Sequence, residues 1–255
     1  MATVTKIDRQ TRWSEAEWET RVQLAACYRL VARYRMTDLI YTHISARVPG
    51  MEDQFLLNPY GLMFDEITAS SLVKIDLEGR QIEDEPYGVN AAGFTIHSAI
   101  HAARHDVFCV LHTHTRAGMA VACQKQGLLP LNQISLAFYN RLAYHDYEGI
   151  ALDHDERPRI VADLGDKRSM ILLNHGLLTA GRTIPEAFSL MFYLERACEV
   201  QIAALAGGAE LIIPSPEVCE KAALQNQMEN DAPCGDREWE AHIRMLDRED
   251  QSYRA

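Results

Sequence analysis

The sequence predicts an α/β fold in which helices cover a central sheet. Short apolar runs that are typical of strands alternate with longer segments of helical periodicity, and this alternation indicates packed α/β layers. No internal repeat or low-complexity tract interrupts the pattern. We therefore expect one domain over residues 1–213, followed by a helical C-terminal tail over residues 214–255.

Two helices have well-defined starts in the sequence. Ser14 precedes a periodic apolar segment and Glu17 follows three positions later, which is the capping-box pattern, so a helix is predicted from Ser14 to about Met36. Residues 183–186 repeat the pattern with a proline in the first turn. This second helix is predicted to end at about Leu205, before a glycine pair.

The remaining elements are predicted from shorter patterns. Apolar segments rich in β-branched or aromatic residues indicate strands. They cover residues 44–48, 54–57, 72–77, 110–114, 134–139, 160–161 and 170–175. A turn signal at 78–80 predicts a hairpin that returns through residues 81–82. Further helices are predicted over residues 91–104, 117–126 and 217–250.

The charge balance and the apolar pattern exclude several classes of protein. A formal net charge of −11 has the wrong sign for a general nucleic-acid binder or for an anionic membrane surface. The first residues lack the apolar stretch of a secretory signal, and no apolar run approaches the roughly 18 residues that cross a bilayer. The six cysteines include no CxxC pair, so we expect reduced thiols and a cytoplasmic protein.

Two histidines at the end of a predicted strand are the strongest chemical signal in the chain. His112 and His114 are two positions apart in the segment 110–114, and alternate residues of a strand share a face. A second apolar run, 170–175, ends in His175. Three neutral imidazoles without a thiolate are typical of a catalytic metal site that keeps an open coordination position. The sequence therefore predicts that these three histidines bind one metal ion.

Together with these runs, four motifs give the chain a resemblance to the class II aldolase/adducin family. They are YTHISAR at 41–47, NPYGL at 58–62, HTH at 112–114 and NHGL at 174–177. The segments GFTIHSAIHAARHDV, GLLPL, AYHDYEGI and ACEVQ resemble the adducin head domain, and the likeness spans residues 20–210. The resemblance implies a three-layer α/β/α sandwich with a mixed or antiparallel central sheet. It also implies a divalent metal, usually zinc, on His112, His114 and His175, and a homotetramer with sites at subunit interfaces.

Three positions depart from the sugar-phosphate aldolases of that family. Those aldolases carry a Ser-Ser-Glu-like element ahead of the histidine strand, in which the serines bind phosphate and the carboxylate is the acid/base. The matching triplet here is Ala91-Ala92-Gly93. Their Gly-Asn pair and their Pro-Ser/Thr-Gly loop are replaced by Thr42-His43 and Pro59-Tyr60-Gly61. We therefore do not expect a phosphorylated sugar as substrate, and Gly93 removes the usual acid/base.

Other polar residues are candidates for substrate handling. His43 and Tyr60 match positions that face substrate in relatives, and both side chains can relay protons, so they are predicted proton handlers. The predicted substrate-binding residues are Asn58, Gly61 and Arg116. Packing is the alternative role for Tyr60, and a solvated helix-start position is the alternative for Arg116. His97 and His101 share one helix face, and we expect them to be hydrogen-bonded structural residues because the ligand set is already complete.

The residues favour a metal-dependent enzyme. A metal ion on three histidines can polarise a carbonyl and stabilise the enediolate that C–C cleavage or decarboxylation generates. The main prediction is a lyase for a small non-phosphorylated carbonyl or carboxylate substrate, with zinc as cofactor and manganese or iron as alternatives. Two other functions stay open. One is a non-catalytic adducin-like module that binds a protein partner such as an actin filament, and the other is a non-haem iron oxygenase.

Overall fold

A seven-stranded mixed sheet forms the centre of the molecule. The computed structural model describes residues 12–84, 86–150, 154–228 and 233–255. Its strands are β1 (His43–Arg47), β2 (Gln54–Leu57), β3 (Val73–Asp76), β4 (Cys109–Thr113), β5 (Leu142–His145), β6 (Ser169–Leu172) and β7 (Gly176–Gly181). Their order is β3-β2-β1-β4-β7-β6-β5, and all neighbours are antiparallel except the parallel pair β5 and β6.

Helices cover both faces of this sheet. They are α1 (Glu15–Arg33), α2 (Ala91–Ala103), α3 (Arg116–Ala122), α4 (Gln133–Leu136), α5 (Arg157–Leu164), α6 (Ile184–Leu205), α7 (Pro216–Met228) and α8 (Asp236–Glu249). Val110 of β4 clusters with Ile100 of α2, whereas Leu111 clusters with Leu24 of α1 and Phe188 of α6. Neighbouring strand residues point to opposite faces, so these helices form outer layers on either side. The predicted three-layer α/β/α architecture is confirmed.

Both predicted helix starts are confirmed, and each has a side-chain cap. The Ser14 hydroxyl accepts a hydrogen bond from the Glu17 amide at 3.1 Å, and the Thr183 hydroxyl accepts one from the Glu186 amide at 3.1 Å. These bonds satisfy amide donors that have no partner within the first turn. Helix α1 ends at Arg33, slightly before the predicted end, and α6 ends at Leu205 as predicted.

Two segments that the sequence predicts as strands are helical. Segment 134–139 begins within α4, because the Asn132 side chain accepts hydrogen bonds from the amides of Ile134 and Ser135 and starts a helical turn. Segment 160–161 lies inside α5, which has Pro158 in its first turn. The β-branched residues of both segments predicted strands, and these local helix-starting contacts outweigh that propensity.

The half of the sheet that contains β5, β6 and β7 differs most from the prediction. The sequence does not predict β5 or β7, and the glycines that bound β7 weaken its strand signal. The predicted strand 170–175 ends at Leu172. A tight turn follows, in which Asn174 has a left-handed backbone with φ of +56° that asparagine tolerates. His175 therefore lies in the turn between β6 and β7, and not at the end of a strand.

The C-terminal tail contains two helices, α7 and α8. Trp239 and Leu246 of α8 belong to the same core cluster as residues of α1 and α6. The division of the chain at residue 214 stays a prediction.

Two features bear on the environment of the chain. No described helix is both long and apolar enough to cross a membrane. All six cysteines are free thiols, as the sequence predicts.

Candidate metal centre

Three imidazole rings converge at one end of β4. The Nε2 atoms of His112 and His114 are 2.9 Å apart, and the Nε2 atoms of His114 and His175 are also 2.9 Å apart. One ligand nitrogen from each of the three rings lies within 4.8 Å of the other two. Among the described residues, this is the group of side chains that could hold a metal ion. The structure thus brings together the three histidines that the sequence predicts as ligands.

The β4 strand and the β6–β7 turn position these rings. His112 lies in β4 and His114 follows its end, while β7 pairs antiparallel with β4 and carries the turn residue His175 towards them. Gly176 makes this approach possible, because a Cβ atom there would lie 2.4 Å from the Thr113 carbonyl oxygen and 3.3 Å from carbons of His112 and His114. The turn therefore requires glycine directly after the third histidine.

Two of the rings have a defined tautomer. His112 Nδ1 lies 2.8 Å from the Leu177 carbonyl oxygen, and His114 Nδ1 lies 2.9 Å from Asp38 Oδ2. Both partners only accept hydrogen bonds, so each Nδ1 carries a proton, and in the neutral ring each Nε2 then presents a lone pair. Two lone pairs that face each other across 2.9 Å repel unless a cation lies between them. The donor set therefore fits a divalent metal ion.

The protonation states of the buried rings suit metal binding. Burial, followed by the neighbouring histidines, lowers the pKa of His112 well below 6.5. Burial also lowers the pKa of His175 to about 4. Both imidazoles are therefore neutral at physiological pH, and neutral imidazole is the form that binds metals.

His43 lies beside the three histidines on the neighbouring strand. It is the direct partner of His112 in the β1–β4 pairing, and the two ring centroids are 6.2 Å apart. Burial, with His114 and His175 as further causes, lowers its pKa to about 3. His43 is therefore uncharged near neutral pH, and protonating it there is unfavourable. Its predicted part in proton handling stays a prediction.

The other predicted substrate residues lie in different surroundings. Asn58 is buried, and its Oδ1 accepts a hydrogen bond from the Tyr28 hydroxyl at 2.9 Å. Tyr60 is 40% exposed, Gly61 has a φ of +109°, and Arg116 is exposed at the start of α3. In the part of the chain that the structure describes, none of these four residues hydrogen-bonds to the three histidines. Their substrate-binding roles stay predictions.

The two histidines of α2 have the hydrogen-bonded positions that we expected. The Ser45 hydroxyl lies 2.7 Å from His97 Nδ1 and 2.8 Å from His101 Nε2, and all three residues are buried. Burial lowers the pKa of His101 to about 3. Helix α2 begins at Ala91, but the side chains of residues 91–94 lie outside the described part, so the changed triplet at Gly93 stays a sequence observation.

Two residues at the centre are not predicted by the sequence. Asp38 contacts His114 from the turn between α1 and β1, and the Tyr147 ring lies 6.4 Å from the His175 ring with 53% of the residue exposed. Asp38 belongs to no recognisable motif. Tyr147 follows β5, a strand that the sequence does not predict, although the segment AYHDYEGI that contains it resembles the adducin branch.

Comparison with known proteins assigns the family. The model of the "Class II Aldolase and Adducin N-terminal domain" matches residues 22–202. A Pseudomonas aeruginosa protein named "Putative aldolase class 2 protein" is 56% identical over 250 residues, with 97% of this chain and 96% of that protein covered. The crystal structure of an aldolase II superfamily protein from Pseudomonas syringae has a TM-score of 0.93 at 56% identity, covering 96% of this chain and 99% of that one. The chain belongs to the class II aldolase/adducin family.

Relatives from both branches of the family are similar to this chain. Alpha-adducin of Rattus norvegicus is 41% identical over 249 residues, which cover 92% of this chain and only 34% of the adducin. An L-fuculose 1-phosphate aldolase structure from Glaciozyma antarctica PI12 has a TM-score of 0.82 at 29% identity, covering 94% of this chain and 93% of that one. The relatives of this chain therefore include an aldolase of similar length and an adducin, a longer protein of which only a part matches this chain.

Proposed function

We propose that this protein is a divalent-metal-dependent lyase that cleaves a C–C bond, or decarboxylates, a small non-phosphorylated carbonyl or carboxylate substrate. The observation that carries the proposal is the convergence of three imidazoles, two of which have their Nδ1 proton fixed and their Nε2 lone pair free. When both rings are neutral, no hydrogen bond can join the facing Nε2 atoms of His112 and His114. A shared metal ion accounts for their approach.

In this proposal each residue has one task. His112, His114 and His175 hold the metal, which is zinc, with manganese or iron as alternatives. When bound there, the ion supplies Lewis-acid polarisation of a substrate carbonyl. His43 and Tyr60 handle protons beside it, and Asn58, Gly61 and Arg116 contact the substrate. We further propose a cytoplasmic homotetramer, in keeping with the family resemblance.

The proposed substrate class is based on sequence positions where this chain differs from the sugar-phosphate aldolases. Ala91, Ala92 and Gly93 provide neither the hydroxyls that hold phosphate nor the carboxylate that serves the sugar-phosphate aldolases. Arg116 is exposed and follows His114 by two positions in the chain, and a guanidinium can bind a carboxylate through two hydrogen bonds. A small keto acid therefore fits this set of residues better than a sugar phosphate.

Metal analysis combined with an activity screen tests the proposal. We expect the purified protein to contain, or to take up on titration, about one equivalent of divalent metal per chain. The loaded protein is then expected to cleave or decarboxylate a member of a keto-acid panel and to leave sugar phosphates unchanged. Failure to take up zinc, manganese or iron contradicts the proposal. Oxygen consumption that occurs with ferrous iron and not with zinc indicates the oxygenase alternative instead.

A second candidate is an adducin-like binding module. It is favoured by the 41% identity to alpha-adducin across 92% of this chain, and by the loss of the family acid/base at Gly93. This candidate predicts that the protein cosediments with actin filaments whether or not metal is bound. A protein that stays in the supernatant at saturating filament concentration contradicts the actin version of this candidate.

A further inference from the structure

The turn between α1 and β1 holds a carboxylate against one of the three histidines. Asp38 Oδ2 lies 2.9 Å from His114 Nδ1. The Asp38 carbonyl oxygen accepts a hydrogen bond from the Tyr41 amide at 2.8 Å, which closes the turn behind the carboxylate. Leu39 and Thr42 have left-handed backbones with φ of +50° and +68°, a conformation that costs energy for residues with a β-carbon. The chain thus adopts an unfavourable turn, and that turn presents Asp38 to His114.

We propose that Asp38 is a positioning residue of the metal centre, which fixes the tautomer and the orientation of His114 and supplies a negative charge beside the ligand set. The inference rests on the metal site proposed above and names a residue beyond it. It does not depend on which reaction the site performs. It also places a carboxylate beside the centre after the family acid/base has been lost from the sequence at Gly93, although Asp38 acts through His114 and not on the substrate.

His114 needs such a partner more than His112 does. His112 is buried in β4, and its Nδ1 donates to a backbone carbonyl of the adjacent strand β7, so the sheet itself fixes that ring. His114 lies beyond the end of β4, and 23% of its side chain is exposed. A ring outside the strand can rotate or exchange tautomers unless a side chain holds its Nδ1 proton. Asp38 provides that contact.

Asp38 contributes to cation binding through its charge as well as through its contact with His114. The three ligands are imidazoles, which bind a metal in their neutral form, so the ligand set itself carries no negative charge. A carboxylate that accepts the outer N–H of a ligand increases the basicity of the ring and reduces the net charge around a divalent ion. Removing such an outer partner typically weakens metal affinity by about 10- to 100-fold.

A second carboxylate–histidine pair in the chain provides a matched control. Glu52 Oε2 lies 3.5 Å from His105 Nδ1, and the two side chains are 83% and 72% exposed. The distance is longer, both groups are solvated, and neither ring nitrogen of His105 belongs to the candidate metal centre. Neutralising Glu52 changes the overall charge by the same amount as neutralising Asp38, but should leave metal binding unchanged.

Zinc affinity measured by competition with a chromophoric chelator tests the inference on the full-length protein. We expect Asp38→Ala to weaken zinc binding by about 10- to 100-fold, Asp38→Asn to weaken it less, and Glu52→Gln to match the wild type. Histidine ¹⁵N NMR of the zinc-loaded proteins should show His114 as the Nδ1–H tautomer in the wild type and altered shifts for that ring in Asp38→Ala. Wild-type affinity in both Asp38 variants overturns the inference and leaves the metal site standing. A wild-type protein that takes up no zinc overturns both.

Discussion

Two groups of imidazoles lie near β1 and β4, and among the described residues only one of them is arranged to hold an ion. His97 and His101 each direct a nitrogen to the hydroxyl of Ser45, at 2.7 and 2.8 Å. In the candidate metal centre, His112 and His114 direct their Nε2 atoms to each other at 2.9 Å. A hydroxyl can donate to one nitrogen and accept from another, so Ser45 satisfies one nitrogen of each ring in the first group. His97 Nε2 is buried without a hydrogen-bond partner among the described residues. In the second group the Nε2 atoms face one another, as the atoms of a metal-ligand set do.

A lowered pKa does not distinguish the two groups. Burial lowers the pKa of His101 to about 3 and the pKa of His175 to about 4, so members of both groups are neutral at physiological pH. The difference lies in where the unprotonated nitrogens point. A depressed histidine pKa therefore identifies a buried ring, whereas convergent lone pairs identify a ligand set.

The largest expected effect comes from removing a ligand. His112→Ala should abolish stoichiometric zinc binding because two imidazoles rarely retain the affinity of three. His97→Ala removes a histidine of the other group and should leave zinc stoichiometry intact, although it lowers the thermal stability. Zinc titration of both variants after circular dichroism has verified their folds makes the comparison. Equal zinc loss in the two variants contradicts the distinction between the groups.

A fall in stability at acidic pH is expected for the metal-free protein. Unfolded histidines have a pKa near 6.5, while burial lowers that of folded His101 to about 3. The unfolded chain therefore binds more protons below pH 6.5, and stability that is fully present above that pH is lost as the pH falls towards 3. Each such histidine contributes a slope of about 1.4 kcal/mol per pH unit.

Urea unfolding of the metal-free protein at about pH 7 and about pH 5 measures this slope. The free energy of unfolding should be lower at the more acidic pH. An equal or higher value there indicates that the buried rings are not held in their neutral form.

A substitution at Gly176 tests the turn geometry that places His175 beside His112 and His114. A Cβ atom at this position would lie 2.4 Å from the Thr113 carbonyl oxygen, so Gly176→Ala must displace the turn. We expect a loss of about 1–3 kcal/mol in the free energy of unfolding, together with weaker zinc binding. Gly207→Ala is the matched control, since no atom lies within 4 Å of a Cβ there. Similar behaviour of the two variants argues against a tightly packed turn.

The smallest expected effect on zinc binding comes from removing the Ser45 hydroxyl, which contacts His97 and His101. Ser45→Ala leaves a nitrogen of His97 and of His101 without its partner inside the core, and should cost about 1–3 kcal/mol of stability without changing zinc affinity. Ser98→Ala is a suitable control, because the hydrogen bond that the structure describes for the Ser98 hydroxyl is a long one, 3.4 Å to the Thr95 carbonyl. Chemical denaturation and zinc competition on both variants separate the two effects. Weaker zinc binding in Ser45→Ala indicates that the groups are coupled.

The ligand set was predictable from the sequence because its signals are local. The i, i+2 spacing of His112 and His114 fixes their common face, and the apolar run before His175 indicates a nearby segment of the same sheet. The capped starts at Ser14 and Thr183 are local in the same sense, and they delimit two of the helices that cover the sheet.

The features that the sequence does not predict depend on backbone conformation or on distant pairing. Asp38 reaches His114 through a turn with left-handed residues, which no periodicity encodes. Tyr147 depends on β5, whose parallel pairing with β6 is set by residues far apart in the chain. The resemblance of this chain to aldolases and adducins supplied the architecture, but it did not indicate either residue.

An anomalous-diffraction crystal structure of the zinc-loaded protein tests the central claim most directly. The account predicts one zinc peak about 2.0–2.1 Å from the Nε2 atoms of His112, His114 and His175. Asp38 should remain hydrogen-bonded to His114 Nδ1, and no zinc should lie between His97 and His101. A zinc-soaked crystal with no peak at the three imidazoles, or with its principal peak on other residues, contradicts the account.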